Sequence, residues 1–140
     1  MIDLFSRQVV GWATDKRMKR QLAIDALSIA YWQRKPSPGL LCHSDRGNQY
    51  TCHDYRERLN QYGMAASMSR KGNCRNNAST ERFCRSLKSE QLSDYRFVTR
   101  RPAEMQVLDY ISCYNSSQLH SALEYKTPFA YEKELCRKAA

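Results

Sequence analysis

The chain has 140 residues, 41% of them hydrophobic, which suits one globular domain with a modest core. Lys and Arg number 23 against 14 Asp and Glu, and the net charge of +9 favours a polyanionic partner over a small neutral ligand. No run reaches the length of a membrane span, no signal-like apolar stretch opens the chain, and no glycine-rich nucleotide loop is present, so a membrane protein or a user of a nucleotide cofactor is not expected.

"IDLFSRQVVGWATD" reads as two short strands around a polar turn at Ser6 to Gln8. From Lys19 to Lys35, Leu22, Ala23, Ala26, Leu27, Ala30 and Tyr31 recur at helical spacing, and Pro36 ends the run because its ring nitrogen has no proton to donate. "PSPG" turns the chain into "LLCHSD", too short for a helix and apolar enough for a strand buried on both faces. Cys52, Tyr55, Leu59 and Tyr62 form a second helical stripe, closed by Gly63 where a left-handed residue is wanted. "MAASMS" is a short strand. The polar loop "RKGNCRNN" leads into a helix from about Ala78 to Gln91 with Asn77 as N-cap, and a long helix runs from near Pro102 towards Leu123. "EYKTPFAYEKEL" closes the chain as a turn and a short helix. Strands alternating with helices predict an α/β fold with parallel crossovers, which binds ligands at the carboxyl ends of its strands.

Six cysteines, Cys42, Cys52, Cys74, Cys84, Cys113 and Cys136, are scattered without a CxxC pair, as free thiols of a reducing cytoplasm would be. Cys42–His43 and Cys52–His53 suggest a metal set, but neighbours on a strand point to opposite faces and the spacing matches no zinc module. Trp12, Trp32 and the nine tyrosines read as core and helix-packing residues rather than base-stacking platforms.

Asp45 stands just past a buried strand, where a carboxylate is partly desolvated yet still open to solvent and able to hold a hard divalent cation. A second acid, Glu81, falls in the first turn of the helix after the basic loop and shares a face with Arg85 and Lys88, at offsets of four and seven residues. An acid beside two cations suits metal-assisted phosphoryl transfer. It equally suits dipole complementarity, an ion pair with Arg85 or a solvated charged face.

"HSDRGNQYT", "SMSRKGNCRNNASTERFCRSLKSE" and "YNSSQLHSALEYKTPFAYE", preceded by "IDLFSRQVVGWA", resemble in order and spacing the integrase-like core of bacterial insertion-sequence transposases, the group whose second reading frame encodes a domain of the retroviral-integrase type. The resemblance covers essentially the whole chain. It implies a ribonuclease-H-like α/β fold, a mixed sheet flanked by helices, with an Asp, Asp, Glu triad that binds two Mg2+ or Mn2+ ions for strand cleavage and transfer at the DNA ends of the element. The second Asp of that triad maps to Asp45 and the Glu to Glu81, with the 35 intervening residues characteristic of the family. Lys88 matches a basic position that touches terminal DNA. Arg46, Arg70, Lys71, Arg75 and Arg85 would join it on backbone phosphates. His120 in "LHSAL" matches a family position and reads equally as a packing or capping residue and as a DNA contact.

The chain departs from the family at several points. Arg75, Asn76, Asn77 and Ala78 stand for Trp-Asp-Asn-Ala, Cys84 for an aromatic, and Ser116, Ser117 and Gln118 for arginines. By the resemblance the first triad Asp lies upstream of "IDLFSR", and Asp3 belongs to the following strand as a non-catalytic residue. The expectation is therefore a core at residues 1–125 lacking its first strand and first metal ligand, then a tail at 126–140. Such a chain is marginally stable and inactive alone, and without the upstream recognition region it binds DNA weakly, sensitively to salt and without sequence preference. Intact transposase subunits are its expected protein partners, in the bacterial cytoplasm at the nucleoid. The alternatives are a non-catalytic basic module that binds DNA or transposase, and a small nuclease rearranged around Asp3.

Overall fold

The computed structural model describes residues 1–69, 78–93 and 95–139. Arg70, Lys71, Cys74, Arg75, Asn76 and the expected N-cap Asn77 lie outside them. The chain forms two compact units, Met1 with Val10–Ala78, and Ile2–Val9 with Ser79–Ala140.

In the first unit, α1 spans Arg20–Arg34 and buries Ile24, Leu27 and Ala30, the apolar stripe read from the sequence displaced by one residue at its start. It stops where Lys35 turns left-handed at φ 43° and donates its N–H to Tyr31 O at 2.7 Å, just before Pro36. Strand β1, Leu41–Ser44, then runs parallel to β2, Ala65–Met68, in register from Leu41↔Ala65 to Ser44↔Met68. The crossover between them carries α2, Asn48–Thr51, and α3, His53–Gln61, because parallel neighbours cannot be joined by a tight hairpin.

Strand β1 is buried on one face rather than two: Cys42 and Ser44 point inward while Leu41 is 69% exposed. The reason is that the core gathers on the Cys42 side, where Ile24 and Leu27 of α1 meet Tyr55 and Leu59 of α3. Gly63 closes α3 at φ 65°, as its position predicts, and its carbonyl accepts from Gly39 N at 2.7 Å. Gly11 serves a different need, since a Cβ there would lie 2.2 Å from the carbonyl oxygen of Ala26 and 2.7 Å from Ala30 Cβ on α1.

In the second unit the expected opening strand pair is reduced to one antiparallel bridge, Ile2↔Val9, with Asp3 N donating to Gln8 O at 2.9 Å. The outward-facing groups of Val9 are met by a side chain instead of a strand: Asn115 Oδ1 accepts from Val9 N at 2.8 Å and Asn115 Nδ2 donates to Val9 O at 3.0 Å. An amide side chain thus imitates the edge of a neighbouring strand, which is why so little regular sheet is needed there.

Helix α4, Ala78–Ser86, passes into a π-helical stretch at Leu87–Leu92, where one continuous α-helix to Gln91 was expected. Ser89 Oγ donates back to Arg85 O at 3.0 Å and Ser93 Oγ to Ser89 O at 2.7 Å, competing with the regular ladder. Helix α5, Arg100–Ser116, accommodates Pro102 in its first turn but stops short of Leu123. Ser116 Oγ donates to Ser112 O at 2.7 Å, and Leu123 falls instead in a 3-10 turn, Ser121–Leu123, beside the bridge His120↔Lys126. Helix α6, Pro128–Ala139, is longer than the short helix expected and packs against α5. Among the described residues no helix is long and apolar enough to cross a membrane.

Candidate functional site

Asp45 follows the last residue of β1, exposed at the carboxyl end of the strand. Its Oδ1 accepts the Gly47 N–H at 2.8 Å, a turn in which the side chain replaces a backbone acceptor. Gly47 has φ −58° and ψ 142°, open to any residue, so its lack of a side chain matters for space: an added Cβ would lie 2.9 Å from Asp45 Oδ1.

The residues around Asp45 are tied to the end of β2, and three of these ties meet at Ser69. The Ser69 N–H donates to Ser44 O at 3.1 Å, extending the ladder by one bond. Its carbonyl accepts from Arg46 Nε at 3.0 Å, and its hydroxyl lies 2.8 Å from His43 Nε2. The other imidazole nitrogen, Nδ1, is 3.0 Å from Ser67 Oγ, so the ring is held at both ends. Below this network Cys42 Sγ meets Tyr55 OH at 3.5 Å, and burial raises the pKa values of both groups from their usual range. His43 and Cys42 thus point to opposite sides of the strand and serve its packing.

Glu81 lies in the first turn of α4, exposed, as are Arg85 and Lys88. The opposite face is fixed by Phe83, whose ring sits edge-on to Tyr114 at 4.9 Å and tilted against Tyr110 at 5.7 Å. This anchoring on α5 turns the Glu81 face outward. Lys88 belongs to the π-helical stretch, where the wider turn rotates it slightly from the offset an α-helix would give. Burial, with Glu90 beside it, pushes the Tyr110 phenol up to about 12, and its OH donates to Glu90 Oε2 at 3.3 Å.

Asp3 has its carboxylate committed to its own turn, accepting Phe5 N at 2.9 Å through Oδ1 and Ser6 Oγ at 3.0 Å through Oδ2. Arg7, left-handed at φ 62°, donates through Nη1 to Ser79 Oγ. Near it His120 packs edge-on to Tyr114 at 4.9 Å, and its Nε2 is buried without a hydrogen-bond partner among the described residues. Burial, then the charges of Arg7 and Arg82, lower its pKa below the ordinary 6.5. Trp32, expected in packing, is 64% exposed and rests edge-on against Tyr31 at 5.5 Å.

The first unit therefore gathers Asp45, Arg46 and Gly47 around Ser69, and the second presents Glu81, Arg85 and Lys88 on one helix. Among the described residues no three His, Cys, Asp or Glu side chains converge as a metal cluster. Hard carboxylate oxygens at exposed positions fit a cation such as Mg2+, which takes one or two carboxylates and keeps several waters. Ser69 and Asn115 escaped the sequence reading, and His43 entered it only beside Cys42 as a metal set that the spacing did not support. The signal for Ser69 was its place as the last residue of "MAASMS", where a strand ends.

Two family models, both described as integrase core domain, match residues 1–74 and 62–128. The chain is 44% identical over 133 residues to the transposase for insertion sequence element IS904 of Lactococcus lactis, covering 94% of this chain and 53% of that protein. It is 41% identical over 135 residues to transposase InsF for insertion sequence IS3A of Escherichia coli, covering 96% and 47% respectively. It thus spans about half the length of these curated relatives. Among solved structures, an intasome of simian T-cell lymphotropic virus in complex with PP2A regulatory subunit B56 gamma contains a chain similar at TM-score 0.76 and 17% identity, covering 93% of this chain and 45% of that one. That likeness shows the ribonuclease-H-like fold of an integrase core. The chain belongs to the integrase core domain family, and these relatives within it are transposases of insertion sequences.

Proposed function

We propose that this chain is the metal-binding part of an insertion-sequence transposase core, with Asp45 and Glu81 as ligands for Mg2+ or Mn2+. The observation that carries the reading is the Asp45 carboxylate, held by the Gly47 N–H at the carboxyl end of a parallel strand. The 35-residue interval to Glu81 and the match to transposases add to it. The bound cation would neutralise charge on a phosphodiester during strand cleavage and transfer. Arg46, Arg70, Lys71, Arg85 and Lys88 would contact DNA backbone, with Arg46 acting through its terminal nitrogens because Nε is engaged by Ser69.

Strand transfer at transposon ends is assigned, in this reading, to an assembly with transposase subunits. Calorimetry with Mn2+ tests the ligands: binding present in the unaltered chain and lost in both Asp45→Asn and Glu81→Gln is the expected result. Retained binding in both variants refutes the assignment.

A second reading is a non-catalytic basic module that binds DNA or transposase, favoured by the +9 charge and by the lack of a three-ligand cluster among the described residues. A chelator separates the two, because binding through phosphate contacts alone falls steeply with salt but does not respond to metal removal.

A further inference from the structure

Ser69 is a small residue at the end of a strand, where one ladder hydrogen bond would be ordinary. Instead its three polar groups are directed at three residues of one segment: N–H to Ser44, hydroxyl to His43, carbonyl to Arg46. Asp45 is the one residue between two of these attachments. The two bonds that flank it are made by the backbone of Ser69, and the bond to His43 is the one its side chain supplies. Ser69 and Ser44 are both buried, so a partner lost here is not replaced by bulk water.

We propose that Ser69 is a positioning residue whose hydroxyl fixes the His43 ring, and with it the end of the strand that carries the Asp45 carboxylate, thereby setting the affinity of this position for a divalent cation. The affinity half rests on the reading of Asp45 as a metal ligand, whereas the positional half stands on geometry alone. Removing the hydroxyl leaves His43 Nε2 without its partner while Ser67 still holds Nδ1, so the ring and the following residues gain freedom without loss of the core. Groups that orient a metal ligand are worth at least about tenfold in affinity when removed.

The Gly47 amide supplies a reporter that needs no metal, because its proton is held by Asp45 Oδ1. In the full chain, amide hydrogen exchange by NMR would be measured for Gly47 and for Leu59 in the core, with Mn2+ affinity by calorimetry, in Ser69→Ala, Ser69→Thr and Asp45→Asn. The expected result for Ser69→Ala is Gly47 exchange faster by about fivefold, Leu59 unchanged and Mn2+ bound about tenfold more weakly, with Ser69→Thr restoring both because it keeps the hydroxyl. Gly47 exchange unchanged in Ser69→Ala, or Gly47 and Leu59 accelerating together, would overturn the positional role. Mn2+ affinity unmoved in Ser69→Ala but lost in Asp45→Asn would overturn the affinity half alone. Affinity unmoved in Asp45→Asn would overturn the metal reading itself, while the Gly47 result still decides whether Ser69 positions the carboxylate.

Discussion

A methyl group added at Gly47 would stand 2.9 Å from Asp45 Oδ1 and 2.7 Å from the amide nitrogen of Gln49. Both contacts are with the ends of side chains, so they can move aside, and Gly47→Ala should cost under about 1 kcal/mol of stability. What moves is the carboxylate: Mn2+ affinity is expected to fall by about tenfold, with thermal unfolding nearly unchanged. His120 predicts a pH effect of definite sign. Its folded pKa lies below the ordinary 6.5 through burial first, then the positive charges of Arg7 and Arg82, so the unfolded chain takes up the proton first as pH falls. The stability this contributes is complete above 6.5 and is lost as pH falls from there through the folded value. Urea denaturation between pH 7.5 and pH 5, conditions bracketing about 6.5, should show the loss, and His120→Gln should flatten it. The place of Asp45 at the end of β1 was legible because a charged residue after an apolar run marks where the strand stops. Ser69 was not, since a serine that binds three neighbours is spelled like one that binds none.

Elements here are held by side chains doing the work of backbone. Asn115, on α5, satisfies both the N–H and the carbonyl of Val9, which is buried. Asn115→Ala should therefore cost about 2 kcal/mol, because it strands two buried groups rather than merely deleting a contact. Asn115→Asp should recover part of that, retaining the acceptor for Val9 N and losing the donor; chemical denaturation of the three proteins checks the order. Gly11→Ala should be costlier, about 3 kcal/mol, since the atom in the way is the Ala26 carbonyl oxygen and backbone within a helix cannot step aside. Periodicity carried α1 and α3 well because their apolar stripes face a real core. It overran α4 and α5, where serines at Ser89 and Ser116 turn their hydroxyls back onto the helix and change its course. The first two strands were over-read for the reason that Asn115 exists: apolar alternation reports burial, while the partner that satisfies the backbone can come from anywhere in the chain.

Across the whole molecule, fold class was the most legible level, because the order of strands and helices survives every local error in their ends. The clustering of polar residues at Ser69 and the split into two compact units depend on contacts remote in sequence, which spacing does not encode. The burial of Cys42 has a use in this respect. Of the described cysteines, Cys84, Cys113 and Cys136 are exposed free thiols, whereas Cys42 is sealed beneath Tyr55 with its thiol pKa raised by burial. Only a thiolate alkylates readily, so iodoacetamide should mark the three exposed sulfurs at once and reach Cys42 only when the first unit opens, slower by about a thousandfold or more. Mass spectrometry of the labelled chain would show equal rates if that core were loose. The molecule thus carries its own stopwatch, one sulfur atom whose first encounter with an alkylating reagent times how often the floor beneath Asp45 comes apart.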